Sequence, residues 1–177
     1  MIKYIQYIVR GVSVLKTGFI GVGNMGGAIL RSFAASDNID TGSLYIYSRT
    51  VSKTEALARE LGVKTCGSAA ELAKACDTII IGVKPDTVAS VMEQIAPVYT
   101  PDKIIISMAA GISIRAIEDM AGVSAKVIRI MPNTPVMVGE GMTAIFVNDN
   151  ITEEDKQTVY DMFSRTGRAE FADESMI

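Results

Sequence analysis

The sequence predicts an α/β fold with a doubly wound, mostly parallel sheet and helices on both faces, and three observations carry that expectation. Short β-rich runs alternate with amphipathic stretches through most of the chain, the signature of strand-helix-strand crossovers. The runs FIGV, TIII and KIIIS are nearly continuous hydrophobics, as befits central parallel strands covered on both faces. The first such run opens directly into a glycine loop, Gly21-Val22-Gly23-Asn24-Met25-Gly26. A glycine loop between the first strand and first helix is the fingerprint of a Rossmann-type nucleotide fold.

Strands are expected at Lys16–Val22, Ser43–Ser48, Val63–Cys66, Thr78–Val83, Lys103–Met108 and Lys126–Met131. Helices are expected at about Asn24–Ala35, Lys53–Leu61, Ala69–Cys76, Asp86–Ile95 and Ile114–Ala121. Ser52-Lys53-Thr54-Glu55 and Ser68-Ala69-Ala70-Glu71 both match the capping box, in which a hydroxyl and a carboxylate satisfy orphan amides reciprocally. After Met131 the pattern changes to a loop with two prolines and a strand near Met142–Val147. A helix from about Glu153 to Ser164, opened by Thr152, and a short strand at Arg168–Phe171 follow.

Composition narrows the function. The chain has 177 residues, room for one well-buried domain but not for two of ordinary size. Its 49% hydrophobic content against 21% charged marks a folding chain. A net charge of −3 with scattered lysines and arginines argues against nucleic acid, which calls for clustered positive charge. No apolar run approaches the ~18 residues of a membrane span, and Lys3, Gln6 and Arg10 break up the opening segment, so no secretory signal is expected. The expectation is a cytoplasmic protein.

Cys66 and Cys76 have no metal or redox spacing and read as buried reduced thiols. Histidine is absent, which excludes imidazole bases and His-ligated zinc, so no metal site is expected. If the protein is an enzyme, a cofactor carries the chemistry.

The glycine loop has a division of labour. Gly21 makes the tight turn, Gly23 lets backbone amides approach a pyrophosphate, and Gly26 lets helix and strand pack closely. The helix start supplies partial positive charge for the anion. The end of the second strand then selects the nucleotide. A carboxylate there favours NAD, but the chain reads Tyr47-Ser48-Arg49-Thr50 with Lys53 nearby. A hydroxyl, a guanidinium and an ammonium suit a 2′-phosphate, so NADP(H) is the expected cofactor, with NAD(H) as the alternative.

Two further stretches belong to the same sheet edge. In Gly82-Val83-Lys84-Pro85 the proline holds Lys84 extended at the cleft mouth. In Ser107-Met108-Ala109-Ala110-Gly111 small residues let backbone approach a flat ring. Either stretch also reads as an ordinary strand-helix turn. Arg129-Ile130-Met131-Pro132-Asn133-Thr134-Pro135 is more distinctive, because its prolines stiffen the loop around Asn133 and Thr134.

In this order and spacing, FIGVGNMGGAI, the SRT strand end, GVKP, SMAAGI and RIMPNTP resemble the N-terminal half of pyrroline-5-carboxylate reductase, from about Leu15 to Ile177. The resemblance implies reduction of a cyclic imine carboxylate to proline by hydride from NADPH or NADH. It implies that Gly21, Val22, Gly23, Asn24, Met25 and Gly26 hold the pyrophosphate and that Ser48 and Arg49 hold the adenosine phosphate. It also implies that Val83, Lys84 and Pro85 with Ala109 and Ala110 line the nicotinamide side, with Asn133 near the nicotinamide and the imine.

The family continues into a helical domain that binds the substrate and forms the dimer. This chain is therefore expected to be the cofactor-binding half of a homo-oligomer, preceded over residues 1–14 by an extra N-terminal segment or a cloning remnant. The resemblance assigns no catalytic acid here. Two alternatives remain at this stage: a β-hydroxyacid dehydrogenase-type enzyme using NADP, and a reductase-like regulator that binds the nucleotide without turnover.

Overall fold

The computed structural model describes residues 15–122 and 124–177; the extra segment expected over residues 1–14 lies outside them. Eight strands form one sheet: β1 Thr17–Ile20, β2 Leu44–Tyr47, β3 Lys64–Thr65, β4 Thr78–Ile81, β5 Ile104–Ser107, β6 Lys126–Pro132, β7 Gly141–Val147 and β8 Gly167–Phe171. Six helices connect them: α1 Asn24–Ala34, α2 Val51–Leu61, α3 Ala69–Ala75, α4 Pro85–Ile95, α5 Ile114–Ala121 and α6 Glu153–Phe163. Each expected strand and helix is present, with ends shifted by a residue or two.

The strand order is β3-β2-β1-β4-β5-β6-β7-β8. The first six strands run parallel, the chain reverses between β6 and β7, and β8 runs parallel to β7. The order turns back between β1 and β4, and such a switch point is where open α/β sheets bind ligands, outside the strands' C-terminal ends.

Alternation along the central strands explains their continuous apolar runs. Phe19, Ile80, Ile106 and Ile128 face one core layer with Phe33 of α1 and Phe163 of α6. Ile20, Ile79, Ile81, Ile105 and Val127 face the other, with Leu72 of α3, Met92 of α4 and Ile117 of α5. The named side chains are almost wholly buried, so neither face of these strands is free for polar residues. Phe33 meets Phe19 and Phe163 edge-on, each at 5.7 Å between ring centres, and this ties α1 to the sheet and to α6.

The helix starts differ from the sequence expectation in two places. Thr50, not Ser52, is the N-cap of α2; its side chain makes no capping bond, and the Thr54 hydroxyl donates to its carbonyl at 3.0 Å. At α3 the Ser68 hydroxyl accepts the Glu71 N–H, but the Glu71 carboxylate accepts from Gly67 rather than closing the box on Ser68. Thr152 and Asp155 form a complete capping box at α6.

Candidate functional site

The strand register builds a straight edge. Tyr47, Ile20, Ile81, Ser107 and Arg129 stand side by side across β2, β1, β4, β5 and β6. The loops that leave this row begin with Ser48, Gly21, Gly82 and Met108, so four of the sequence-predicted stretches meet along one line. β6 continues past the row, which carries Asn133 about 13 Å further along the strand direction, at roughly 3.3 Å per residue.

The three loop glycines have different reasons to be glycine. Gly21 has φ +90°, and a Cβ there would come within 2.7 Å of Val83 Cγ1. A Cβ on Gly26 would lie 2.5 Å from the Gly21 carbonyl oxygen. Packing within the chain therefore requires both. Gly23 is exposed, sits at an ordinary φ of −69°, and has nothing within 4 Å of a Cβ. Nothing in the chain's own packing demands glycine at that position. A ligand passing close to the backbone would.

Gly23 is also the N-cap of α1, which has no side-chain cap and no acidic residue in its first turn. The first amides of a helix lack internal acceptors, so those at the start of α1 face the loop with no carboxylate competing for them. Val22 and Met25 pack their side chains on the core, so their part in a site is confined to the backbone. Asn24 is exposed.

At the end of β2 the Ser48 and Thr54 hydroxyls are 2.5 Å apart. Thr54 spends its proton on the Thr50 carbonyl, so Ser48 is the donor of the pair. Arg49 and Lys53 are exposed and make no ion pair among the described residues. Asp40, the acid preceding this strand, is used elsewhere: its carboxylate accepts the Gly42 N–H at 2.9 Å in the turn that leads into β2. Thr54 was not legible as a site neighbour, because its spacing suggested a position within a capping box.

Val83 packs inward and buttresses Gly21, whereas Lys84 and Pro85 are exposed at the start of α4. Lys84 is extended at ψ 152°, as the following proline requires. Ala109 is only 3% exposed and offers backbone alone, while Ala110 is exposed.

The Asn133 Oδ1 accepts the Met142 N–H at 2.8 Å, which pins the loop to β7 and leaves its Nδ2 group as the part able to donate. Val136, in the short helix after Asn133, is fully buried in the core layer shared with α1. Asn133 therefore stands on rigid ground beyond the β6 end of the row, four strand spacings, or about 19 Å measured across the sheet, from the β2 end that leads to Arg49.

A phosphate-bearing dinucleotide fits this edge: an open backbone over Gly23, uncapped amides beside it, and cationic side chains at the β2 end. The comparisons agree with that chemistry. Residues 16–111 match the model of the family described as NADP oxidoreductase, coenzyme F420-dependent, a span that runs from β1 past β5. The chain belongs to this NADP oxidoreductase family.

Relatives of this family member are named pyrroline-5-carboxylate reductase, as the motif resemblance implied. The one from Escherichia coli (strain K12) is 38% identical over 162 residues, covering 92% of this chain and 60% of that protein. Pyrroline-5-carboxylate reductase 3 of Danio rerio is 31% identical, covering 92% and 56%. The solved Plasmodium falciparum pyrroline carboxylate reductase with NADP bound superposes at a TM-score of 0.83 with 35% identity, covering 93% of this chain and 60% of that one. The Coxiella burnetii enzyme superposes at 0.86 with 26% identity, covering 92% and 60%. The chain thus spans about three-fifths of the length of these relatives. Among the described residues no helix is long and apolar enough to cross a membrane.

Proposed function

We propose that this chain is the dinucleotide-binding part of an NADPH-dependent pyrroline-5-carboxylate reductase. The observation that carries the reading is Gly23, a glycine that the chain's own packing does not require, at the uncapped start of α1. The relatives' names supply the substrate. When bound, the reduced nicotinamide supplies a hydride, which with one proton reduces the imine C=N bond to the amine of L-proline.

The chain's residues bind and orient. Amides over Gly21 to Gly26 hold the pyrophosphate, with Gly23 giving it room. Arg49 and Lys53 hold the adenosine 2′-phosphate by charge, and Ser48 shapes the strand end through Thr54. Lys84 and Pro85, with the backbone at Ala109 and Ala110, flank the nicotinamide. Asn133 presents Nδ2 as a donor toward the nicotinamide and the imine. NAD(H) is the weaker alternative, because the β2 end offers no carboxylate to a ribose 2′-hydroxyl.

In this reading the protein works in the cytoplasm. The part of the relatives' length that this chain does not span completes the substrate site and joins copies into a homo-oligomer. The test is a steady-state assay of the full-length gene product with NADPH and pyrroline-5-carboxylate. Proline formed in step with NADPH oxidation is the expected result. Tight NADPH binding without proline would overturn the reading in favour of a regulator.

A further inference from the structure

β6 carries a charged side chain into a buried layer. Arg129 stands between Ser107 of β5 and Phe146 of β7, with its side chain 11% exposed. A guanidinium keeps its charge, so it needs a partner there. That partner comes from far along the chain: the Glu174 Oε1, 2.9 Å from Arg129 Nη1. The same oxygen accepts the Ile114 backbone N–H at 3.0 Å. Ile114 opens α5, and its amide is one of those a helix start leaves without an internal acceptor. A carboxylate there also meets the positive end of the helix dipole.

The turn from β5 to α5 is thereby held at both ends. At its start the buried Ser107 hydroxyl accepts the Ala109 N–H at 3.3 Å. At its end Glu174 holds Ile114, while the Ser113 side chain is occupied in capping Ala116. Between the two anchors lie exposed Ala110 and Gly111, the latter at φ +74°.

We propose that Glu174 is a positioning residue for the nicotinamide end of the dinucleotide site, acting through the Ala109–Ser113 turn. The inference rests on the dinucleotide reading above. The adenosine end at Arg49 is three strand spacings away, about 14 Å, so a loosened turn affects one end of the ligand and spares the other.

The test titrates wild type, Glu174→Ala and Glu174→Gln with NADPH and with adenosine 2′,5′-bisphosphate, which carries the adenosine end alone. Amide hydrogen exchange over residues 108–116 is followed in parallel. Glu174→Ala is expected to weaken NADPH about tenfold, leave the bisphosphate unchanged and speed exchange in the turn. Glu174→Gln keeps an acceptor for the Ile114 N–H and recovers most of the NADPH affinity. Equal weakening of both ligands, or faster exchange with unchanged NADPH affinity, overturns the inference. A wild-type chain that binds neither ligand defeats the dinucleotide reading and this inference with it, whereas unchanged exchange in Glu174→Ala defeats the brace alone.

Discussion

The carbonyl oxygen of Gly21 lies 2.5 Å from the point that a Cβ on Gly26 would occupy. The neighbour is backbone in a strand-end turn and cannot swing aside as a flexible side chain would. Gly26→Ala is therefore expected to lower stability by about 1–3 kcal/mol through overpacking. Urea denaturation measures it, and an unchanged midpoint would show that the loop yields.

Arg49 governs the choice of nucleotide in this account. NADPH is expected to bind more tightly than NADH, and Arg49→Ala to shrink that gap by about tenfold, the loss of a charge-assisted hydrogen bond to phosphate. Ser48→Ala is expected to change it less, since Ser48 donates its proton to Thr54 within the chain. Calorimetric titration of both nucleotides decides the matter, and equal binding in the wild type would refute the 2′-phosphate assignment.

Most of the fold was legible because its signals are local. Continuous runs such as TIII mark strands covered on both faces, and Gly21 to Gly26 fixes the first strand-helix junction. The site edge was legible for the same reason, since its pieces all follow strand ends. What the sequence did not reveal depends on distant partners. Glu174 reaches Arg129 across 45 positions, a pairing without a spacing signal. The Asn133 side chain looked free to donate and accept, yet β7 claims its oxygen. The Ser52 box failed for a local reason instead: Ser52 already lies inside α2, whose N-cap is Thr50, and the Thr54 hydroxyl is taken up by the Thr50 carbonyl and Ser48.

Acid should loosen α6 from the sheet. Burial pushes the Asp155 carboxyl up, but Lys126 Nζ at 2.8 Å and the Thr152 N–H and hydroxyl outweigh it and hold the pKa below the usual carboxylate value. A carboxylate with a depressed folded pKa adds stability above its unfolded value, near 4, and that stability fades as pH falls through the folded value. Asp155→Asn is expected to cost about 1–3 kcal/mol at neutral pH and to converge with wild type in strong acid. Thermal melts across that range check it. A constant difference at all pH values would contradict the ion pair's role.

Turnover is expected to need more than these residues. Arg129, the guanidinium on the strand that leads to Asn133, is only 11% exposed and pairs through Nη1 with Glu174, so in this account it has no part in holding a substrate carboxylate. The 177-residue chain alone is expected to bind NADPH yet leave pyrroline-5-carboxylate unreduced, because hydride transfer needs reacting atoms held at roughly 3–3.5 Å. A side-by-side assay with the Escherichia coli relative tests this, and comparable rates would place all the needed groups within this chain.

The central claim is that the open backbone at Gly23 exists for a dinucleotide. Calorimetric titration of NADPH into wild type and Gly23→Val, with thermal melts of both, measures it most directly. A Cβ there meets no protein atom within 4 Å, and the position is exposed, so the fold is expected to lose no more than about 1 kcal/mol, the scale of a poorer N-cap. NADPH binding is expected in the wild type and absent in the variant, with both chains folded. Equal NADPH binding by the two would show that the loop is only a turn and would contradict the account.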